Sequence, residues 1–430
     1  MKKKSINIIT LGCSKNLVDS EKILGQLSPD HYELRHDADG PADIVIVNTC
    51  GFISDAKQES IDTILQYVEA RKNGLVGELL ITGCLSQRYR DELKKEIPEV
   101  DAWFGVFDTD ALFDHLREPY AATDPSRLLT TPSHTAYLKI SEGCDRRCAF
   151  CAIPLIRGKA RSATLDELVA EARQLAAKGV KELILIAQDL SSYGFDLEGK
   201  SLLAPLVQSL SQLEGIAWIR LHYAYPLNFP PELIQEMANN PKVCRYLDIP
   251  LQHIHDKVLR SMRRGHGKKA TLELVETLRR EIPGVALRTT LLVGYPGETE
   301  EAFQELADFV RRTRFERLGV FTYSPEEGTP AFHLGDPVPE SVKQKRAAEL
   351  MRLQEAISLE INETRIGQTL TVLVDCEDSE YFTGRTEFDS PEVDNEVFLE
   401  KVPGISPGDF VQARVTAAGA FELFATPLLP

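Results

Sequence analysis

The placement of the cysteines is the sequence feature that most constrains the fold of this chain. Three of the eight cysteines, Cys144, Cys148 and Cys151, lie close together just after an apolar segment that predicts a strand. Disulfides are rare in a reducing cytoplasm, so thiols grouped in this way indicate a metal centre or a catalytic group. The C-x3-C-x2-C spacing suits an iron–sulfur cluster. A structural zinc ion takes four ligands, and no further Cys or His close by completes such a set.

Three thiolates leave one position of a cubic cluster open. A [4Fe–4S] cluster held by three cysteines has one iron that is free to bind a small molecule and pass it an electron. A zinc site is the main alternative, and the ligand count disfavours it. Three buried core thiols are a second alternative, which Arg146 and Arg147 disfavour because they make the segment polar.

Three further cysteines each follow an apolar strand segment near the N-terminus. Cys13, Cys50 and Cys84 end the segments IITLGC, DIVIVNTC and ELLITGC. Parallel strands of one sheet bring their C-terminal ends to one edge, where ligands of open α/β sheets bind. The sequence therefore predicts a second three-cysteine cluster, although buried cysteine is also a common core residue. The remaining Cys244 and Cys376 are predicted to be ordinary core or surface thiols.

The pattern of apolar segments predicts an α/β fold in three domains. Residues 1–118 alternate strand and helix, which predicts an open parallel sheet with helical crossovers. A linker with several prolines follows at 119–134, and six βα units at 135–364 predict a partly open (β/α)6 barrel, since a closed one needs eight. Residues 365–430 show period-2 patterns with Gly and Pro turns, which predict a small antiparallel β-barrel. The strands predicted for the central barrel are Tyr137–Ser141, Glu182–Gln188, Trp218–Tyr223, Tyr246–Pro250, Ala286–Val293 and Leu318–Tyr323.

The central motif and the six-strand barrel resemble the radical S-adenosylmethionine (SAM) enzymes. This resemblance implies that the open iron binds the amino and carboxylate groups of SAM. An electron from the cluster then cleaves SAM to methionine and a radical that abstracts hydrogen from the substrate. The resemblance also places Phe150 near the adenine of SAM. Further SAM contacts are expected at strand ends. The alternative is that the residues there only form ordinary turns. The candidates are Gln188, Asp189, Arg288, Val293 and Gly294.

Two sets of three cysteines in this order resemble the methylthiotransferase family of radical SAM enzymes over essentially the whole chain. The resemblance implies an N-terminal methylthiotransferase domain, a radical SAM barrel and a C-terminal TRAM domain. It implies two [4Fe–4S] clusters and SAM as cofactors, with a reducing electron donor. One SAM supplies a methyl group to sulfur at the auxiliary cluster and a second supplies the radical, so a methylthio group replaces a substrate C–H hydrogen.

The family has two substrate branches. One modifies an aspartate of the small-subunit ribosomal protein uS12, and the other modifies adenosine next to the tRNA anticodon. The segments LGCSKNLVDSE and IPLQHIHDKVLRSMRRG resemble the ribosomal-protein branch. We therefore predict uS12 as the substrate, with tRNA as the alternative. A more remote alternative is an iron–sulfur electron carrier without catalysis, which needs neither an open iron nor a SAM barrel.

Charge favours the protein substrate on physical grounds. The chain has 65 acidic and 49 basic residues, a net charge of −16. Residues 366–430 hold twelve acidic and three basic residues, a net charge of −9. A module that grips RNA should be basic, whereas an acidic one steers a basic protein toward the barrel. The alternative is that the acidic surface only confers solubility.

Basic residues near the cluster motif complete the set of candidates. Arg157, Lys159 and Arg161 follow the motif and are expected to balance the charge of the cluster and raise its potential. The basic run from Arg260 to Lys269 is open to three interpretations: RNA contact, a solvated helix face, or binding of the SAM carboxylate. No apolar run approaches the roughly 18 residues of a membrane span, so we expect a cytoplasmic protein without a membrane partner.

Overall fold

The computed structural model describes residues 3–227 and 229–428 of the 430-residue chain. The outer ends of the predicted first and last domains, residues 1–2 and 429–430, lie outside the described residues. The N-terminal strands are β1 (Lys4–Thr10), β2 (Tyr32–His36), β3 (Ala42–Thr49), β4 (Val76–Gly83) and β5 (Ala102–Trp103). The N-terminal helices are α1 (Ser14–Gln26), α2 (Ser54–Lys72), α3 (Cys84–Glu96) and α4 (Thr109–Leu116).

The N-terminal strands form the predicted parallel sheet, in the order β2-β1-β3-β4-β5. Its central strands are buried on both faces, as parallel strands flanked by helices are. Ile44 and Ile46 pack with residues of α1 and α4, and the alternating Val45 and Val47 pack with residues of α2. The strand-end cysteines therefore lie at the edge of a rigid sheet.

Several N-terminal elements differ from the sequence prediction. Apolar periodicity places the start of α1 at Ser20, but the helix begins at Ser14 directly after Cys13. Its first turns carry polar residues such as Lys15 and Asn16 that are buried, so the pattern resembles a loop. The edge strand β2 was missed because its sequence, YELRH, is mostly polar, and β5 was missed because it has only two residues.

The second domain contains the predicted central sheet. Its strands are β6 (Thr135–Lys139), β7 (Ser141–Glu142), β8 (Arg161–Ser162), β9 (Glu182–Ile186), β10 (Trp218–Leu221), β11 (Val243–Asp248), β12 (Ala286–Val293) and β13 (Arg317–Thr322). Its helices are α5 (Ile153–Arg157), α6 (Leu165–Ala177), α7 (Phe195–Glu198), α8 (Leu203–Ser211), α9 (Pro231–Asn239), α10 (Asp256–Ser261), α11 (Lys268–Glu281), α12 (Glu300–Thr313) and α13 (Glu340–Glu363). Two 3-10 turns cover Leu190–Ser192 and Pro330–Leu334.

The central sheet is open, and its order β6-β9-β10-β11-β12-β13 follows the chain. All of its neighbouring pairs in the described chain are parallel, which confirms the six predicted strands and the partly open barrel. Apolar side chains such as Ile219 and Leu287 pack under the outer helices. Their neighbours Arg220 and Arg288 alternate onto the other face, since successive strand residues point to opposite sides. The concave face of the barrel is therefore lined in part by charged side chains.

The C-terminal domain is a small closed β-barrel. Its strands are β14 (Thr369–Glu377), β15 (Tyr381–Thr386), β16 (Glu396–Glu400), β17 (Phe410–Ala418) and β18 (Glu422–Pro427), closed in the order β14-β15-β16-β18-β17. The pairing is antiparallel, as predicted, except that β16 and β18 run parallel. An odd number of strands cannot alternate in direction around a closed ring, so one parallel pair is required.

Buried ion pairs hold the C-terminal barrel against the central sheet. Arg220 of β10 and Arg385 of β15 both bind Glu182 at the start of β9, each with an N–O distance of 2.8 Å. All three side chains are buried. Breaking a buried pair by removing one partner leaves an uncompensated charge, so this triad ties the two domains together.

The acidic residues of the last domain are not all available to a partner. Asp389 binds Arg317 of β13, and Asp394 lies 3.3 Å from Arg288 of β12. Asp375 binds Arg385 at 2.7 Å. Part of the −9 charge of this domain therefore neutralises cations of the fold itself, which reduces the steering charge expected from composition.

The segment between the first two domains is also part of an interface. Arg127 lies within the predicted linker and is fully buried. It forms ion pairs with Glu21 of α1 and with Glu171 of α6. These two ion pairs therefore attach the connecting segment to the N-terminal domain and to the central domain.

Candidate cluster and cofactor site

The three N-terminal cysteines converge at one edge of the first sheet. Cys13 caps α1 after β1, Cys50 follows β3, and Cys84 begins α3 after β4. Because β1, β3 and β4 are neighbours, their C-terminal ends bring the thiols together. Burial raises the pKa of Cys50 to about 12, and the charges of Cys13 and Cys84 contribute to the same shift. The structure thus groups the predicted ligands of the auxiliary cluster.

Glycine is required beside this group of thiols. Gly12 has a φ of +90°, and a Cβ atom there would lie 2.7 Å from the Cβ and 2.8 Å from the Sγ of Cys50. Gly83 has a φ of +96°, and a Cβ there would lie 2.5 Å from the side chain of Asn48. Only glycine accommodates both the left-handed backbone and the close approach.

Asn16 and Arg157 organise the N-terminal thiols. The buried amide of Asn16 donates to the carbonyls of Leu11 and Thr49, at 2.9 and 3.1 Å. Its oxygen accepts a hydrogen bond from Arg157 at 2.6 Å, and the same guanidinium nitrogen lies 3.3 Å from the Sγ of Cys84. Asn16 therefore links the ends of two strands, and Arg157 places a positive charge against one thiol.

Arg157 also connects the two cysteine sets. It ends α5, which begins two residues after Cys151, yet it contacts Cys84 of the other domain. Its second nitrogen binds Asp19 at 2.8 Å and Glu142 at 2.9 Å. Of the three cations expected to balance a cluster, Arg157 faces the N-terminal thiols, whereas Lys159 and Arg161 are exposed.

The central cysteines lie on the loop that follows β6 and β7. The backbone N–H of Arg146 donates to the Sγ of Cys144 at 3.4 Å, and Arg264 donates to the Sγ of Cys148 at 3.2 Å. Burial raises the pKa of Cys144 to about 11 and that of Cys151 to about 12. Since metal ligands are thiolates, cluster binding has to displace these protons.

A stack of side chains that the sequence did not reveal supports this loop. The ring of Tyr225 lies between two guanidinium groups, 4.3 Å from Arg146 and 4.2 Å from Arg264. The hydroxyl of Tyr225 donates to the carbonyl of Arg264. Arg264 belongs to the basic run whose role was open, and the structure places it on a cysteine sulfur rather than on a solvated face.

Two of the predicted SAM residues lie beside the cluster loop. Asp189 is buried and accepts a hydrogen bond from Arg146 at 2.8 Å, while its other oxygen accepts from Ser191. Gln188 donates to Glu142 at 2.7 Å, and its buried side-chain oxygen has no hydrogen-bond partner among the described residues. Asp189 thus positions the loop, and Gln188 offers a free acceptor for a ligand.

The other predicted SAM residues have structural partners of their own. Phe150 packs edge-to-face on Tyr295, with ring centroids 6.4 Å apart. Arg288 lies 3.3 Å from both Asp248 and Asp394. These contacts leave Phe150 partly exposed at the site but engage the charge of Arg288.

The turn after β12 is built around glycine for a local reason. The side chain of Val293 is fully buried in the helix-facing core. Gly294 has a φ of +76°, and a Cβ there would lie 2.4 Å from the side chain of Lys343. The close approach at Gly294 is thus made by Lys343 of α13. The roles of these residues in binding SAM stay predictions.

The donor sets fit iron–sulfur clusters. All eight cysteines are free, and Cys84, Cys144 and Cys148 each receive a hydrogen-bond donor on sulfur. Hydrogen bonds to sulfur are one of the features by which proteins tune such clusters. Within residues 3–227 and 229–428, no group of three or more Cys, His, Asp and Glu side chains is arranged to hold a single metal ion.

Comparisons with known families match each part of this architecture. The model of the radical SAM superfamily matches residues 138–310, that of the uncharacterized protein family UPF0004 matches 5–105, and that of the TRAM domain matches 366–428. In the described part of the chain, no helix is long and apolar enough to cross a membrane.

Two solved structures share the fold. The radical SAM methyltransferase TsrM from Kitasatospora setae covers 86% of this chain and 81% of its own, with a TM-score of 0.54 at 15% identity. The cobalamin-dependent SAM radical enzyme OxsB covers 82% of this chain and 56% of its own, with a TM-score of 0.51 at 11% identity. The radical SAM family model over residues 138–310 agrees with this fold, and the chain is a radical SAM enzyme.

Close relatives narrow the class to one family. The ribosomal protein uS12 methylthiotransferase RimO of Christiangramia forsetii is 51% identical over 430 residues, which cover 100% of this chain and 95% of that protein. The RimO of Porphyromonas gingivalis is 53% identical and covers 99% of both chains. The chain belongs to the RimO family of radical SAM methylthiotransferases.

Proposed function

We propose that this protein replaces a C–H hydrogen of one aspartate of ribosomal protein uS12 with a methylthio group, and that it uses two [4Fe–4S] clusters and SAM. The observation that carries the proposal is the pair of three-thiol groups at strand ends of two parallel sheets, linked by Arg157. Full-length identity of about half to proteins named uS12 methylthiotransferases supports the choice of substrate.

Each cysteine group has a distinct task in this proposal. When bound, the cluster on Cys144, Cys148 and Cys151 supplies the electron that cleaves SAM, and the cluster on the N-terminal cysteines holds the sulfur that is transferred. The chain's own residues keep the two groups in a fixed relation. The Asp189–Arg146 pair and Arg264 hold the central loop.

Charge near the sulfurs favours the reduced state of the bound centres. Arg264 lies against Cys148 and Arg157 against Cys84, and both guanidinium groups are buried. A positive charge next to a cluster stabilises the added electron, and it does so more strongly where water is excluded. This is the property a centre needs if it accepts electrons from an external reducing donor, which we propose as a partner.

The remaining acidic surface of the C-terminal barrel supports a basic protein partner. Asp378, Glu380 and Glu400 are exposed near one end of the barrel, where Tyr381 of β15 pairs with Glu400 of β16, and the exposed Glu377 beside them pairs with Lys401 at 2.7 Å. Phosphate-rich RNA is repelled by such a surface, and a basic ribosomal protein is attracted to it. We propose that this end contributes to docking of uS12 in the cytoplasm.

We further propose four segments for the chain. They are the auxiliary-cluster domain at 1–118, the connecting segment at 119–134, the radical SAM barrel at 135–364 and the TRAM domain at 365–430.

One reaction tests this function. The clusters are reconstituted anaerobically, SAM and a low-potential reductant are added, and either uS12 or tRNA is supplied. We expect 5′-deoxyadenosine and a methylthio mass gain on one aspartate of uS12. A complete lack of 5′-deoxyadenosine contradicts the radical mechanism, and a mass gain on tRNA but not on uS12 contradicts the substrate.

Cysteine variants separate the two centres. Cys148→Ala should abolish cleavage of SAM, whereas Cys50→Ala should retain cleavage and lose the transfer of sulfur. The exposed Cys376 and the buried Cys244 lie outside both groups, so their alanine variants serve as matched controls and should keep both activities. Intact methylthiolation by Cys50→Ala contradicts the assignment of the auxiliary cluster.

A further inference from the structure

One buried lysine lacks the partner that comparable cations have. Within the described residues, seven of the nine buried Lys and Arg side chains form ion pairs with carboxylates. Of the other two, Arg264 binds the sulfur of Cys148. Lys15 has neither an ion pair nor a hydrogen bond from its ammonium group in this part of the chain, although the residue is only 8% exposed.

The ammonium group of Lys15 rests on an aromatic ring. Its Nζ lies 3.2 Å from the centroid of the Tyr223 ring. A cation–π contact compensates only part of the cost of burying an ammonium group, because a buried charge normally needs an opposite charge. The Tyr223 ring is therefore only a partial partner for the Lys15 ammonium group, which can still bind an anion.

Lys15 lies next to the N-terminal cysteine group in the chain and faces the central barrel. Lys15 is in the first turn of α1, two residues after Cys13. Val18, one turn further along α1, packs against Ile184 and Ile186 of the concave face of the central sheet. The same face of α1 therefore directs Lys15 toward the barrel interior.

Tyr223 connects this position to the cluster loop. It follows β10 at the C-terminal end of the sheet and has a φ of +66°, which is rare for a bulky residue and typical of functional sites. Its carbonyl accepts a hydrogen bond from Leu190 at 3.1 Å, next to the Asp189 that holds Arg146. Lys15 thus faces the space above the strand ends where substrate has to enter.

The neighbouring carboxylates are already engaged. Asp19 on the same helix binds Lys139 and Arg157, and Asp248 of β11 pairs with Arg288. The imidazole of His222 faces the same interior, where burial and the charges of Arg220, Arg288 and Lys15 lower its pKa. Within the described residues none of these carboxylates forms an ion pair with Lys15, so its ammonium group is available to bind an anionic group of a ligand.

We propose that Lys15 binds the side-chain carboxylate of the substrate aspartate and so selects an acidic residue at the barrel mouth. This inference rests on the proposed function and adds the group that recognises the modified residue. A charge-assisted hydrogen bond from an ammonium group to a carboxylate is strong and directional. An anchored carboxylate also limits where the adjoining carbon can lie, which positions the C–H bond for abstraction.

Binding measurements with paired changes test the proposal. Holoenzyme is titrated with uS12 and with uS12 in which the methylthiolated aspartate, located first by mass spectrometry, is changed to asparagine. Wild-type enzyme should bind the aspartate form about 10- to 100-fold more tightly. Lys15→Met, which keeps the length of the side chain without its charge, should bind both forms equally weakly.

Two control variants complete the design. Lys15→Arg keeps the charge and should retain most of the preference for aspartate. Lys22→Met, two turns further along the same helix and paired with Glu171, should behave as wild type. The comparison of the two uS12 forms on wild-type enzyme also needs no enzyme variant, so misfolding of Lys15→Met does not remove the test.

The opposite results overturn the proposal. If Lys15→Met weakens both forms by the same factor and shifts the electron paramagnetic resonance spectrum of the auxiliary cluster, Lys15 balances the cluster instead. If wild-type enzyme does not discriminate aspartate from asparagine, the carboxylate is not recognised. If wild-type enzyme does not modify uS12 at all, the proposed function itself has failed, and the two failures are thereby distinguished.

Discussion

Replacing Gly12 with alanine should remove one cluster and leave the other. Gly12 has a φ of +90°, which costs a residue with a Cβ about 1–2 kcal/mol. In addition, the new Cβ would lie 2.7 Å from the Cβ of Cys50, and overpacking of this kind costs about 1–3 kcal/mol. The two effects together predict that the free energy of unfolding falls by about 2–5 kcal/mol. Because the clash is with Cys50 itself, relief of the strain moves a cluster ligand.

Gly40 provides a matched control. It lies in the same domain with a φ of +100°, but a Cβ there has no neighbour within 4 Å among the described residues. Gly40→Ala should therefore show the backbone cost of about 1–2 kcal/mol and no effect on Cys50. The difference between the two variants isolates the close contact.

Iron content and unfolding measure the two effects separately. Wild type and Gly40→Ala should each bind roughly eight iron atoms per chain, four per cluster, and Gly12→Ala roughly four. Urea unfolding of the cluster-free proteins should rank Gly12→Ala below Gly40→Ala. A Gly12→Ala protein with full iron content and the stability of Gly40→Ala refutes the reasoning, since the close approach to Cys50 would then be unnecessary.

Three further predictions concern the buried cations and their partners. Arg157→Met should lower the midpoint potential of the auxiliary cluster by about 50–100 mV relative to Arg157→Lys, because it removes a positively charged hydrogen-bond donor from Cys84. An unchanged midpoint potential in a redox titration contradicts this role of Arg157. Burial alone would raise the pKa of Glu182, but its two arginine partners hold this pKa at about 2. The ion pairs of Glu182 therefore stabilise the fold above about pH 4.5, and this contribution is lost as the pH falls toward 2. Glu182→Gln should therefore flatten the decline of unfolding free energy between pH 5 and pH 3, and an unchanged slope contradicts the assignment. Arg127→Met should lower the unfolding free energy by about 3–5 kcal/mol, because the buried Glu21 loses its ion pair and Glu171 keeps only Lys22, whereas the exposed Arg173→Met should not.

Local patterns in the sequence were sufficient for the architecture of the chain. Each strand of the central sheet is a short apolar run, so its position could be located from composition within a few residues. The cysteine motif at 144–151 is local as well, and its spacing alone indicates a cluster. The long gaps between Cys13, Cys50 and Cys84 did not prevent their grouping, because the rule for parallel strand ends supplies the missing geometry.

Polar residues that the fold buries were the main source of error. The start of α1 was misplaced because Lys15 and Asn16 look like surface residues in the sequence although both are buried. The charge of the last domain was overestimated as a steering surface, since Asp389 and Asp394 neutralise arginines of the central sheet. A count of charges does not show which of them face each other.

The sequence by itself determined the three-domain α/β architecture and predicted the two cysteine groups, because periodicity and spacing are local properties, and its resemblance to a known family indicated the class of chemistry. Only the tertiary structure decided that Arg157 reaches Cys84 across a domain boundary, that Arg264 supports Cys148, and that Lys15 forms no ion pair with any described residue. These contacts join residues far apart in the chain, and they depend on how the sheets pack. A buried charge can be recognised as unpaired only when all of its neighbours are known.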